Sequence, residues 1–559
     1  MTGTTLAAAV RQLAYLHDIR GEDGSDLRAS VDALDRLSPA EVAGLLQAAR
    51  DGHVPGVHSF SPRVQRTIRD VALVGADAAT AALRSRIPGL LRHLLETAVV
   101  THDQAAAMVR DLGIVTVDDL DAAVADDRLD HCPEPLAERL RAAASLLAQE
   151  WRPYILSRAW ELLETVRSAI ATACPLVTET CLAGDTRRYE PLVKNLAIVA
   201  VTADTPGAIA CLAALPGVEE VVHRSGRRAI LNCLQSEIDV RFAAADDLGT
   251  ILFTTTGSHA HVSAITKRRR PGLCAREADV YARAGLAWIP PEIRHDSGEI
   301  EAAASGRLPQ LVSRGDIRGD LHMHTTFSDG QDTLETMIAA AAALGYEYIA
   351  ITDHSPAASA SRTITADGLK RQREAIDALR DRYPAMTILR GAEVDILPDG
   401  SLDFPDAVLE DLDIVLASLH DAAGQDGPTL TLRCIRAMRH PLVNVITHPT
   451  NRLVGRRDPY PLDYPAIYAA AAETGTVLEI DGGPSHLDLD GERAREAVAA
   501  GVTVTIDSDC HRARALDRQM GFGVGTARRG WVESRHVLNA RPLAEVRAFV
   551  TAKRNARRP

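Results

Sequence analysis

Apolar positions from residue 1 to about 170 recur three and four apart, the spacing of helices that bury one face. Ser38-Pro39-Ala40-Glu41 joins a capping box to a proline at the first helical position, just ahead of the apolar-spaced VAGLLQAAR. Similar spacing predicts helices over 64–72, 79–95 with a break at Pro88, 103–112, 117–124, 134–147 and 154–172. Near residue 184 the pattern changes. LAIVAVTA (196–203), VEEVVHR (218–224), RAILNCL (228–234), IDVRFAA (238–244) and TILFTTTG (250–257) are short β-branched runs with polar punctuation. They predict a small mixed or antiparallel sheet with one helix over 208–215. Residues 258–314 read as a mixed segment leading into a linker.

From Gly315 strand and helix patterns alternate. The strand candidates are GDLHMHTT, YEYIAITDHS, TILRGAEVDI, LDIVLASLHD, VNVITHPT, TVLEIDGG and VTVTIDSDCH. Helical stretches separate them near 331–344, 365–381, 428–439, 463–474 and 491–500, with a last helix near 542–552. Seven such strands predict a parallel (β/α)7 barrel.

Six of the seven candidates end in residue types that bind metals. His322 and His324 close the first, with Asp329 five residues on, and His354 closes the second. Glu393, His420 and His448 end the third, fourth and fifth, and Asp509 and His511 the last. In a parallel barrel these ends converge on one rim. Residues i and i+2 of a strand project to the same side, so His322 and His324 can reach one cation, and Asp509 and His511 repeat the spacing. Nine such groups exceed the needs of one ion and suffice for two or three if a carboxylate such as Glu393 bridges.

Composition adds limits. A chain of 559 residues is too long for one ordinary core. A net charge of -13 argues mildly against tight nonspecific duplex binding, though a local basic groove stays compatible with it. No window offers the roughly 18 apolar residues of a membrane span. MTGTTLAAAVRQLAYLH reads as the start of an amphipathic helix, not a signal peptide. Eight scattered cysteines without a CxxC pair suit a reducing cytosol. The only lysines are at 194, 267, 370 and 553, so residues 1–193 can form no lysine Schiff base.

DLHMHTTFSDG, ITDHS, GAEVDI, ASLHD, THPTNR and DSDCH resemble the successive motifs of the polymerase and histidinol phosphatase (PHP) domain in type, order and spacing. The resemblance implies a first metal on His322, His324, Glu393 and Asp509. It implies a second sharing Glu393 with His420 and His448, and a third on Asp329, His354 and His511. WIPPEIRHDSGEIEAA (288–303), RLVGRRDPYPLDY (452–464) and GFGVGTARRGWVESRHVLN (521–539) are similar to the PHP domain fused to bacterial family X DNA polymerases. Two cations about 3.5–4 Å apart can activate a bridging water and clamp the attacking and leaving oxygens. Arg452, with Arg456 or Arg457, is expected at the nonbridging phosphate oxygens. Asp353 and Asp421 are expected to orient ligating imidazoles.

Residues 184–261 resemble the palm of the same polymerases. GDTRRYEPLVKNLAIVAV is similar to a strand that opens with Gly-Ser-x-Arg-Arg, with Asp185 in place of the serine. The family's two alternating aspartates fall on Asn195 and Ala197, and its third carboxylate on Asp239. TTGSHAH (255–261) resembles its TGS-x-x-H motif. One carboxylate does not hold two Mg²⁺ ions, so loss of nucleotidyl transfer is expected. VPGVHSFSPRV (54–64) and RIPGLLRHLL (86–95) fall where DNA-binding helix-hairpin-helix turns would lie, yet lack Gly-x-Gly.

The expected architecture is multidomain, α/β with α+β parts. It comprises an 8-kDa-like helical domain with a degenerate helix-hairpin-helix (1–85), a helical fingers-like domain (86–170), a degenerate polymerase-beta-like nucleotidyltransferase palm (171–245), a thumb-like segment and linker (246–314), and a distorted (β/α)7 PHP barrel (315–559). The expected function is a metal-dependent phosphoesterase of DNA repair in the cytoplasm. It would be a 3′–5′ exonuclease, with abasic-site endonuclease or 3′-end processing activity, binding DNA weakly at 3′ ends, gaps or abasic sites. Two or three divalent ions, Mn²⁺, Zn²⁺ or Fe²⁺, would serve it. His322, His324, Glu393, His448, Asp509 and Arg452 are expected to carry the chemistry. The rival expectations are a small-molecule phosphate monoesterase of the histidinol phosphatase type, an active family X polymerase, and a non-catalytic DNA-binding scaffold.

Overall fold

The computed structural model describes residues 1–52, 60–150, 152–358 and 362–555. Most of the first hairpin-like stretch at 54–64 therefore lies outside the described residues. Packing divides the chain into two compact units. Met1–Tyr154, Arg158–Thr186 and Val193–Trp288 form the first, and Ile155–Ser157, Arg187–Leu192 and Ile289–Pro559 the second.

The first unit begins as a succession of helices from Gly3–Ile19 to Glu134–Glu150. Ser38 caps helix Pro39–Arg50 through a reciprocal pair with Glu41, whose carboxylate accepts the Ser38 N–H at 2.8 Å. Pro88 breaks the long apolar pattern as expected, leaving helices Ala76–Arg84 and Gly89–Glu96 on either side. Leu13, Leu34, Ile68, Leu91, Leu120 and Leu140 meet in one core.

A mixed sheet follows, ordered Glu179–Leu182, Leu196–Val201, Ser236–Ala243, Arg228–Cys233, Val218–Ser225 among the described residues. Leu196–Val201 runs parallel to Ser236–Ala243, which sets Ala197 opposite Asp239. Its edge strand Glu179–Leu182 was not expected. Residues 250–257, expected as a strand, are helix Leu248–Thr256. The β-branched run there misleads. Its buried positions, Gly249, Leu252, Phe253 and Thr256, are three and four apart, which is the helical period. Residues 258–314 hold helices His259–Arg268, Glu277–Arg283 and Glu299–Ala304; the part up to Trp288 packs with the first unit and the part from Ile289 with the second.

In the second unit strands β1 (Gly319–Asp320), β2 (Tyr348–Ile351), β3 (Thr387–Asp395), β4 (Ile414–Ser418), β5 (Val445–Thr447), β6 (Val477–Asp481) and β7 (Val504–Asp507) pair in sequence order. Each neighbouring pair from β1 to β7 runs parallel. The sheet curls until β1 and β7 meet. Met323 and Cys510 form a parallel bridge, and Asn539 donates to Gly319 O at 2.9 Å and to Ile506 O at 2.6 Å. The predicted (β/α)7 barrel is thus nearly closed.

Residues two apart along a strand share a face, and the inward rows change character along the barrel axis. Tyr348, Ala350, Leu389, Leu416, Val445 and Val477 fill one end with Leu538 and Val546. Two residues further along the same rows come Thr352, Gly391, Ser418, Thr447 and Glu479, and the next step reaches the rim. Helix Leu516–Arg529, not expected because of its three glycines at 521, 523 and 525, flanks β6 and β7. Gly482, directly after β6, accounts for the glycines' company. A Cβ there would lie 2.0 Å from the Gln519 carbonyl oxygen and 2.9 Å from Gly523 N. Gly482→Ala therefore forces this helix off the barrel. We expect a loss of about 1–3 kcal/mol in chemical unfolding followed by circular dichroism, and an unchanged midpoint would refute so tight a seat.

Candidate metal centre

All nine sequence-predicted ligands meet at the C-terminal rim. Asp509 Oδ1 lies 3.1 Å from His324 Nε2 and 3.6 Å from His322 Nε2. Glu393 is central. Its Oε1 is 2.9 Å from His448 Nε2 and 3.1 Å from His420 Nε2, and its Oε2 is 2.7 Å from His354 Nδ1 and 3.5 Å from His322 Nε2. Asp329 Oδ1 lies 3.2 Å from His511 Nε2 and 3.5 Å from His354 Nε2. Groups close enough to share an ion are His322, His324 and Asp509; His354, Glu393 and His420; and His324, Asp329, His354 and His511. His324 and His354 each belong to two of these groups, so the partition implied by the resemblance is finer than the packing.

The donor set fits divalent cations. His322 Nε2 and His324 Nε2 stand 3.1 Å apart, a contact that needs a shared proton or a shared cation. Glu393 Oε2, His324 Nδ1, His354 Nδ1 and His448 Nδ1 are buried without hydrogen-bond partners. An unpaired buried polar atom is costly, and Glu393 Oε2 lies within 3.6 Å of the rings of His322, His324 and His354, where positive charge is wanted. Burial alone would push the Glu393 carboxyl up, but the imidazoles of His354, His420 and His322 outweigh it and hold it well below the usual range. Burial, with His511 and His354 alongside, drops His324 to about 3. Against its own burial, His420 is raised to about 10 by Glu393 and Asp395. Some rings thus demand a proton that their neighbours cannot tolerate, a conflict a bound dication removes.

The supporting groups differ from those expected. Asp353 touches no imidazole. It accepts from Thr325 N at 2.8 Å, Thr325 Oγ1 at 2.7 Å, Ser328 N at 3.1 Å and Gln372 Nε2 at 2.6 Å, and so shapes the turn that presents Asp329. The Asp421 carboxylate accepts from Ala423 N at 2.8 Å and its carbonyl from Arg433 Nη1 at 2.7 Å, and the residue stands at the surface. The rings are aimed by residues that sequence reasoning missed. His420 Nδ1 contacts Asp395 Oδ2 at 3.1 Å, and His322 Nδ1 contacts Glu479 Oε1 at 2.7 Å. Both carboxylates lie on strands with an alternating polar pair, Glu393/Asp395 and Glu479/Asp481, the same spacing that flagged His322 and His324.

Arg452 faces the loop after β6. Its Nε donates to His486 O at 2.8 Å and Nη2 to Leu487 O at 2.5 Å, while Nη1 stays 3.5 Å from Asp490. Arg457 donates to Asn451 O and Oδ1, and Arg456 is exposed. His486, from that loop, stacks against His448 with ring centroids 5.4 Å apart.

In the first unit Asp239, the remaining palm carboxylate, is buried and held by two guanidinium groups. Arg228 reaches both its oxygens at 2.9 Å, and Arg241 Nε lies 3.0 Å from Oδ2. Arg228 also binds Asp119 at 2.8 Å. At the start of helix Gly89–Glu96, the Gly89 N–H donates to Glu237 at 2.7 Å, so the second hairpin-like turn spends that amide internally.

Residues 320–450 match the PHP domain family. A "Probable phosphatase" of Thermoanaerobacter sp. is 30% identical over 203 residues, covering 34% of this chain and 78% of its own length. A histidinol phosphate phosphatase of Lactococcus lactis, solved with zinc, L-histidinol and phosphate, is 16% identical, with a TM-score of 0.30, over 39% of this chain and 95% of that one. The "DNA polymerase/3'-5' exonuclease PolX" of Bacillus subtilis is 38% identical over 396 residues, covering 67% of this chain and 68% of its own. Across that span the chain belongs to the PolX family, with a PHP domain as its metal-binding hydrolase barrel.

Proposed function

We propose that this chain hydrolyses phosphodiesters at DNA 3′ ends as a metal-dependent 3′–5′ exonuclease, with abasic sites as a second substrate, and has given up nucleotidyl transfer. The observation that carries this reading is the convergence of nine candidate ligand groups on one rim, together with a palm carboxylate already bound by two arginines. Membership in the PolX family supports DNA as the substrate class.

His322, His324, Glu393 and Asp509 would hold one ion, Glu393 with His420 and His448 a second, and Asp329, His354 and His511 a third. Mn²⁺ and Zn²⁺ suit this mixed imidazole and carboxylate set best, with Fe²⁺ the alternative. Such ions supply, when bound, an activated water and a clamp on the attacking and leaving oxygens. The protein's own part is placement. Asp395 fixes the ring of His420, and Asp353 fixes the turn carrying Asp329. Arg452 braces the loop of His486, and its Nη1, loosely held by Asp490, is the donor it can turn toward a phosphate oxygen. No helix of the described residues is long and apolar enough to cross a membrane, and eight cysteines outside any disulfide suit the reducing cytosol we assign.

Phosphate monoesters are the second reading, favoured by the match to a probable phosphatase across 78% of that protein. One panel separates the two. With Mn²⁺ or Zn²⁺, 5′-labelled single strands and gapped duplexes should shorten from the 3′ end, faster than histidinol phosphate or other monoesters turn over. The reverse ranking would sink the nuclease reading. His448→Ala and Asp509→Ala should each lower the rate by more than about 100-fold and reduce bound metal.

Primer extension tests the palm. Wild type with nucleotides and Mg²⁺ should add no residue, and neither should the double variant Asn195→Asp/Ala197→Asp, because Asp239 stays locked by Arg228 and Arg241. Extension by the wild type would overturn the loss of polymerase activity.

A further inference from the structure

β6 offers no ligand, yet its inward residue Glu479 is fully buried and bonded to two different strand ends. Oε1 lies 2.7 Å from His322 Nδ1, beyond β1. Oε2 accepts the backbone N–H of His448, beyond β5, at 2.8 Å and also the hydroxyl of Thr447. That hydroxyl stands 2.9 Å from His322 Nδ1, which closes a small ring of contacts. Asp395 resembles it but touches one ligand only, His420.

We infer that Glu479 is a positioning residue that sets the tautomer of His322 and the backbone of His448 so that both present Nε2 to the metal cluster; this rests on the metal-site reading above. The first half follows from hydrogen-bond chemistry. A carboxylate facing Nδ1 at 2.7 Å holds the proton there, so Nε2 keeps its lone pair. That Nε2 points at Glu393 Oε2, 3.5 Å away, and at Asp509 Oδ1, 3.6 Å away, where a cation would lie.

The second half concerns backbone strain. His448 has φ +28°, a value that a residue with a side chain rarely adopts. Two hydrogen bonds hold it there, one from its N–H to Glu479 and one from Asn451 N to its carbonyl at 2.9 Å. In this conformation His448 Nε2 comes within 2.9 Å of Glu393 Oε1. Without the Glu479 anchor the strained peptide can relax, and the ring swings from the rim.

Glu479→Gln separates this role from mere filling of the barrel. The amide has the same size but one acceptor and one donor group. Whichever way it turns, an N–H₂ faces either His322 Nδ1–H or the donors of Thr447 and His448. The experiment uses the full-length protein stripped of metal and titrated with Zn²⁺ against a competing chelator. Tautomers are read by long-range ¹H–¹⁵N spectra of histidine-labelled protein.

We expect Glu479→Gln to weaken zinc binding about 10- to 100-fold and to shift the His322 ring-nitrogen signals of the zinc-loaded protein away from those of an Nε2-bound imidazole. Unchanged zinc affinity, or weakened affinity with the His322 signals of the zinc-loaded protein unaltered, overturns the inference. If Glu479→Gln fails to fold, Thr447→Val decides in its place. It deletes only the shared hydroxyl and should weaken zinc about threefold or more, and no change overturns the proposal. Should wild type itself bind no zinc, manganese or iron, the metal-site reading fails first, an outcome distinct from either variant's result.

Discussion

Lone pairs and carboxylates crowded within 4 Å of one another in a buried pocket repel unless positive charge sits among them. The rim of this barrel is built around that constraint. Glu393 alone stands within 3.6 Å of five imidazoles, and its Oε2 has no hydrogen-bond donor. A protein without use for cations would have filled such a position with leucine, as the same inward rows do further down the barrel. The apolar tier of Tyr348, Leu389, Leu416 and Val477 stiffens the strands, and the polar tier above it aims the ligands. The ligands then need only meet.

Strain gathers at the same place. Among the nine ligand groups, His448 and Asp509 carry positive φ values of 28° and 47°. His448 directly follows the last residue of β5 and Asp509 lies two residues past the end of β7, where the chain must turn sharply while its side chain still points inward. Such conformations persist only when surrounding bonds over-determine them. At His448 those bonds come from Glu479 and Asn451; near Asp509 the seam between β1 and β7 supplies them through Asn539, Asp507 and the Met323–Cys510 bridge. The barrel's closure and the site's geometry are therefore one requirement.

How much was legible in the sequence follows from which physical rule each residue obeys. The nine candidate donors announced themselves because imidazoles and carboxylates rarely fall at strand end after strand end by chance, and parallel topology brings those ends together. The groups that aim them did not. Asp353 and Asp421 were expected to orient imidazoles because they neighbour His354 and His420 in the chain. Successive residues of a strand point to opposite faces, so adjacency in sequence is the wrong criterion. Asp395 and Glu479, two residues from a ligand or from another inward carboxylate, share the inward face instead. The helices at 248–256 and 516–529 escape detection for a related reason. Composition, β-branched in one and glycine-rich in the other, masks the spacing of the buried positions.

The first unit obeys the same electrostatic logic with the opposite outcome. At Asp239 the carboxylate has neighbours that neutralise it, since Arg228 and Arg241 supply guanidinium groups where an ion would otherwise be needed. Asp119 completes the set, tying helix Val117–Ala125 to the sheet through Arg228. Glu237 does likewise for the Gly89 amide. A carboxylate already held by guanidinium groups has fewer lone pairs left for a cation. The rim leaves Glu393 Oε2 and three imidazole nitrogens unpaired, whereas this sheet pairs the Asp239 carboxylate with two guanidinium groups. That contrast, more than the absence of two aspartates, is why the proposed chemistry falls to the barrel.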